Sequence, residues 1–127
     1  NSCTPCIAAA AATIEVLERE NVNEKITALG KTLMAGIEAA GKKHGHNLLV
    51  QGLGPMFHVG FTDLDKVTDY RGTLSYDKAK YGKFAWELQQ RGIRLIGRGL
   101  WYISNAHTDA DIQRAITTAD EVLGEMK

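Results

Sequence analysis

The spacing of apolar residues changes character near Asn47. Before it, Ile7, Ala11, Ile14 and Leu17 recur at the interval of a helix face. Thr4 stands ahead of them as a potential cap, and Pro5 suits the first helical position, where its missing N–H would be unbonded anyway. A second helix is expected from Asn21, with Glu24 three residues on in the manner of a capping box. Its apolar stripe is Ile26, Leu29, Leu33, Ile37 and Ala40, and Gly41 to Gly45 ends it. After Asn47 the apolar runs shorten. Leu48–Val50 and Met56–Phe61 read as two strands of a hairpin around the turn residues Gly52-Leu53-Gly54-Pro55. Residues 63–73 are polar and irregular, a loop. Ser75 is a candidate cap for a third helix bearing Tyr81, Phe84, Ala85 and Leu88, with Gly92 just past its end. Ile93–Ile96 and Leu100–Ile103 read as two further strands on either side of Gly97-Arg98-Gly99. Thr108 with Asp111 caps a last helix, whose stripe is Ile112, Ala115, Ile116, Ala119 and Leu123. The order α, α, β, β, α, β, β, α predicts an α/β fold of the α+β kind: one small, mainly antiparallel sheet with helices on one face.

Composition narrows the function. A length of 127 residues suits one domain, and 44% hydrophobic with 24% charged residues is ordinary for a chain that folds. Fifteen basic residues balance fifteen acidic ones, so there is no electrostatic case for a nucleic-acid partner or an anionic membrane. The strongly apolar run from Cys6 to Ala12 is far short of a bilayer span. Two cysteines are too few for a disulfide scaffold, and a reduced, cytoplasmic setting is the simpler expectation. The chain starts at Asn1 rather than Met, as expected of a fragment, a processed product or the ordered part of something longer.

Four features could carry chemistry. Cys3-Thr4-Pro5-Cys6 opens a helix, where a thiolate is stabilised by unbonded N–H groups. A dithiol oxidoreductase would place such a motif after a strand, and here only Asn1 and Ser2 precede it. The expectation is two small residues at a helix entrance. Zinc on these cysteines with His44 and His46 is disfavoured, because one intervening residue is not a ligand spacing. His58 in its strand and His107 before the last helix read as structural. Arg98 is the candidate binding group. Its flanking glycines let the turn approach a ligand closely, its guanidinium can hold a carboxylate with two hydrogen bonds, and Trp101 offers an apolar wall nearby. The competing reading is a surface arginine in a turn.

Taken in series, several segments look familiar: Ala9-Ala10-Ala11-Ala12-Thr13-Ile14-Glu15-Val16-Leu17, Gly52-Leu53-Gly54-Pro55-Met56-Phe57, Phe61-Thr62-Asp63, Arg91-Gly92-Ile93, and Ser104-Asn105-Ala106-His107-Thr108 followed by Asp111-Ile112. Their order and spacing resemble the C-terminal region of class III (ornithine-type) pyridoxal-phosphate aminotransferases, in the branch of glutamate-1-semialdehyde 2,1-aminomutase and its transaminase relatives. The resemblance covers nearly the whole chain.

It implies the small C-terminal domain of a fold-type I enzyme that acts on amino groups of small amino-acid-like substrates, with pyridoxal phosphate as cofactor and a homodimeric parent. It also implies what this chain lacks. In the family the cofactor is held on a lysine that follows a strand. The Gly-Lys pairs here, Gly30-Lys31, Gly41-Lys42 and Gly82-Lys83, fall in or at the ends of predicted helices. No catalytic residue is therefore expected in this chain, and the chain alone should be inactive. The family's cofactor-phosphate segment lies just before the first helix, so Ser2 would be its edge. The hairpin carrying Arg98 would face the substrate entrance. Aminomutases carry a longer loop there than Gly97-Arg98-Gly99, which favours a transaminase. The alternatives are a binding or assembly module without chemistry and, behind it, the Cys3/Cys6 redox protein.

Overall fold

The computed structural model describes residues 3–126. Its elements are α1 (Thr4–Arg19), α2 (Val22–Lys43), β1 (Leu48–Leu53), β2 (Met56–Phe61), a 3-10 turn at Gly72–Ser75, α3 (Lys78–Gln90), β3 (Leu100–Tyr102) and α4 (Asp109–Glu125). The strands form an antiparallel sheet in the order β1-β2-β3. The α+β class read from the sequence stands.

Register sorts the sheet into two faces. Leu48 lies opposite Phe61, Val50 opposite Val59 and Phe57 opposite Trp101. These residues share one face by the alternation of strands, and they pack with Leu33 and Ile37 of α2, Phe84 and Leu88 of α3, and Ile112, Ala119 and Leu123 of α4 in one core. Ile37, Val59, Phe84, Leu88, Ala119 and Leu123 are completely buried. Each large apolar side chain among them contributes on the order of 1.5–3 kcal/mol. The opposite face carries Leu53, Met56 and Tyr102, all exposed. Part of it is covered by the chain after β2, where Gln51 bonds the backbone of Val67 in both directions, at 2.7 and 3.0 Å.

The α2–hairpin contact explains two glycines. A Cβ on Gly30 would lie 1.7 Å from the carbonyl oxygen of Gly54. Helix and hairpin turn therefore touch backbone to backbone, a fit that no larger residue allows. At the far end of α2, Lys43 and His44 hold opposite oxygens of Asp120 on α4, at 2.7 and 2.9 Å.

Several local expectations need correction. Ile93–Ile96 forms no strand. β3 already occupies the free side of β2, and the Val59 N–H takes the Gly99 carbonyl at 2.8 Å. Ile93 and Leu95 instead lean on the core. The sheet thus has one strand fewer than the sequence suggested. The cap of α1 is Cys3, not Thr4, and that of α3 is Asp77, not Ser75; the Asp77 carboxylate accepts the Lys80 N–H at 2.9 Å. Ser75 instead bonds Thr62, at 2.7 Å. Asn21 precedes α2 as expected but in the left-handed conformation, with φ 48°, and without a side-chain cap bond. The Thr108–Asp111 capping box is present, with both reciprocal bonds. α1 lies beside α2 with no buried residue, and Ile7 and Ile14 are exposed.

Candidate functional site

The Gly97–Gly99 turn is built by its neighbours. β2 supplies two adjacent attachments. Val59 donates its N–H to the Gly99 carbonyl, and Nε2 of His58 donates to the Arg98 carbonyl at 3.2 Å. Gly99 has φ +90°, a conformation that L side chains avoid. Just ahead of these fixed points the Arg98 side chain is exposed, and among the described residues no carboxylate pairs with its guanidinium. A bidentate acceptor arriving from outside would meet a free fork of donors.

Trp101 lies elsewhere. It is 3% exposed, stacks on Phe57 with ring centroids 5.8 Å apart, and donates its indole N–H to the Tyr81 hydroxyl at 3.2 Å. It anchors β3 from within the core and does not stand beside Arg98 as an open wall. Burial pushes the Tyr81 hydroxyl up to about 12, against a smaller opposing effect of the Trp101 N–H. The Trp101–Tyr81 bond was not foreseen, since nothing in the sequence spacing links a helix tyrosine to a strand tryptophan twenty residues on.

Next to this turn runs a groove of about 670 Å³ between the 92–96 segment, β3 and the start of α4. Ile93, Leu95, Ile103 and Ile112 make its walls, and Arg94, His107 and Arg114 bring polar groups to it. His107 has a structural task, as expected: its Nδ1 accepts the Ser104 N–H at 3.0 Å. Asp111 is held by the capping box, which lowers its carboxyl below the usual range.

The remaining candidates disperse. Cys3 and Cys6 are exposed and free. His44 is occupied by Asp120, and His46 bonds the Leu123 carbonyl at 2.8 Å. No group of three potential metal ligands comes together among the described residues. No helix there is long and apolar enough to cross a membrane. Ser2 lies outside the described residues. Lys31, Lys42 and Lys83 are all exposed on helices, and Lys42 is paired with Glu38 at 2.7 Å.

Sequence and structure comparisons identify the relatives. The chain is 32% identical over 123 residues to a glutamate-1-semialdehyde 2,1-aminomutase of Symbiobacterium thermophilum, covering 95% of this chain and 28% of that protein. It superposes on a solved transaminase with pyridoxal phosphate bound with a TM-score of 0.66, at 25% identity, over 81% of this chain and 23% of the other. A glutamate-1-semialdehyde aminomutase of Pseudomonas aeruginosa shares the fold with a TM-score of 0.76, at 16% identity, over 85% and 24% of the two chains. The chain is homologous to part of the pyridoxal-phosphate-dependent aminotransferases and aminomutases. It spans about a quarter of the length of these aminotransferase relatives. No family model matches the chain.

Proposed function

We propose that this chain is the small C-terminal domain of a longer, pyridoxal-phosphate-dependent transaminase that acts on small amino-acid-like substrates, with the catalytic lysine and the cofactor pocket in the remainder. The observation that carries this reading is the near-complete coverage of the chain by a related aminomutase of more than three times its length. Within that enzyme, bound pyridoxal phosphate supplies the amino-group chemistry, and this domain contributes substrate recognition through Arg98. The exposed, unpaired guanidinium on a glycine-flanked turn suits a substrate carboxylate, and Trp101 supports the turn from the core. A cytoplasmic homodimer is the natural setting for such an enzyme, with the segment around Ser2 near the cofactor phosphate of the neighbouring subunit.

The test is substitution of Arg98 in the longer enzyme. Arg98→Ala and Arg98→Lys should both lower kcat/KM roughly tenfold to a hundredfold for a carboxylate-bearing amine, because an ammonium cannot reproduce the two-pronged contact. That corresponds to about 1.5–3 kcal/mol for hydrogen bonds to charged groups. A carboxylate-free amine should be turned over almost unchanged. Equal losses on both substrates, or none on either, would return Arg98 to the role of a surface turn residue.

A further inference from the structure

We propose that His58 is a positioning residue that fixes where the Arg98 turn presents its guanidinium; its effect on substrate rests on the carboxylate reading above. His58 sits on the outer face of β2, opposite Leu100 in register. Its Nε2 is 3.2 Å from the Arg98 carbonyl. A carbonyl only accepts, so the hydrogen must be on Nε2 and the neutral ring is left with a bare lone pair on Nδ1. That Nδ1 is buried and has no partner. Buried polar atoms without partners are uncommon, and each costs stability. Here the cost accompanies a ring orientation that serves the turn.

The ring is confined from both sides. Toward the turn, a Cβ on Gly99 would be 2.3 Å from Nε2 and 2.7 Å from the Val59 carbonyl oxygen. The imidazole thus fills the space that a side chain at residue 99 would need. On its other side Tyr76 lies at a centroid distance of 4.5 Å with a 33° tilt. Gly60 makes room for that tyrosine, since a Cβ there would be 2.5 Å from its ring. Burial lowers the imidazole below its ordinary range, against a smaller raising effect of the Arg98 carbonyl, so the ring stays neutral near pH 7. With the Arg98 carbonyl held by His58 and the Gly99 carbonyl by Val59, the two peptide groups that directly follow the Arg98 side chain are pinned to β2. Displacing a substrate-holding group weakens its contact with substrate and so lowers kcat/KM, which gives this attachment a functional consequence beyond stability.

Two measurements test the inference. In the 127-residue chain, ¹⁵N chemical shifts should show His58 with its hydrogen on Nε2. His58→Ala should speed exchange of the Val59 amide about tenfold, as expected for local opening, while the Ile37 amide in α2 keeps its wild-type rate. His58→Gln, whose amide nitrogen can reach the Arg98 carbonyl, should restore slow exchange. In the longer enzyme, His58→Ala should raise KM for a carboxylate-bearing substrate roughly tenfold with kcat nearly unchanged. It should have no further effect in an Arg98→Ala background, and His58→Gln should recover most of the loss. A hydrogen on Nδ1, unchanged Val59 exchange, or additive losses with Arg98→Ala would overturn the proposal. If Arg98→Ala alone shows no carboxylate selectivity, the carboxylate reading fails and the substrate effect proposed for His58 fails with it. If Arg98→Ala is selective and His58→Ala is not, only the inference about His58 fails.

Discussion

Replacing Tyr81 by Phe removes one oxygen from the core and separates two effects by pH. At neutral pH the change leaves the buried Trp101 indole N–H, now 3.2 Å from the Tyr81 oxygen, without that acceptor. An unsatisfied buried donor costs about 1–3 kcal/mol. Tyr81→Phe should therefore be destabilised by roughly 1–2 kcal/mol, the loss of a long bond to the Ile96 carbonyl being minor. For a chain of this length that is a fall in Tm of about 4 °C per kcal/mol. At alkaline pH a second effect opposes the first. The folded hydroxyl ionises only at about 12, against 10 in the unfolded chain, because burial disfavours the phenolate. Wild-type stability from this group is fully present below pH 10 and is lost as pH rises toward 12, at about 1.4 kcal/mol per pH unit. The phenylalanine variant lacks this term. The gap between the two proteins, read from urea titrations at pH 7 to 11.5, should be constant to about pH 10 and then close. Trp101→Phe should abolish most of the pH 7 difference in a double-mutant cycle. Equal stabilities at pH 7, or a gap that stays constant above pH 10, would refute the reasoning.

Other consequences are simpler to read. Gly30→Ala places a methyl group 1.7 Å from the backbone oxygen of Gly54; the chain should lose roughly 3 kcal/mol, the upper end for overpacking, in chemical denaturation, and a wild-type midpoint would show that α2 and the hairpin do not touch in solution. Asp120 is held below its usual range first by its hydrogen bond from Lys43 and then by that from His44. Its contribution is present above the unfolded value of 3.8 and is lost as pH falls below it. Asp120→Asn should thus flatten the acid limb of the stability profile without altering the alkaline one. Pyridoxal phosphate added to the isolated chain should give no stoichiometric band at about 410–430 nm, since that absorbance belongs to the lysine-linked cofactor; a band abolished by mutating one lysine would contradict the placement of the cofactor site outside this chain.

How much was legible in the sequence depends on the range of the interaction concerned. α2, the Met56–Phe61 strand and α4 follow from periodicity alone, because each buries one face over many residues and the pattern repeats. The Thr108–Asp111 capping box was also legible, since its partners lie three residues apart. The caps of α1 and α3 were misplaced by one or two residues because Thr4 and Ser75 have the right chemistry, and only the path of the backbone selects Cys3 and Asp77. Arg98 could be singled out from its flanking glycines. The order of motifs was enough to point to the aminotransferase family.

Tertiary structure decided the rest. Ile93–Ile96 alternates like a strand, yet it pairs with neither free edge of the sheet, because Ile93 and Leu95 lean on the core instead. Trp101 is turned inward opposite Phe57, so it reaches the groove from the core and not from a position beside Arg98. His58 read as an ordinary strand histidine until the Arg98 carbonyl, forty residues away, came within hydrogen-bonding distance. Local pattern determines which segments become helix or strand and which face is apolar. Which edge is paired, which indole is buried and which carbonyl meets which ring depend on contacts between residues far apart in the chain, and no local rule contains them.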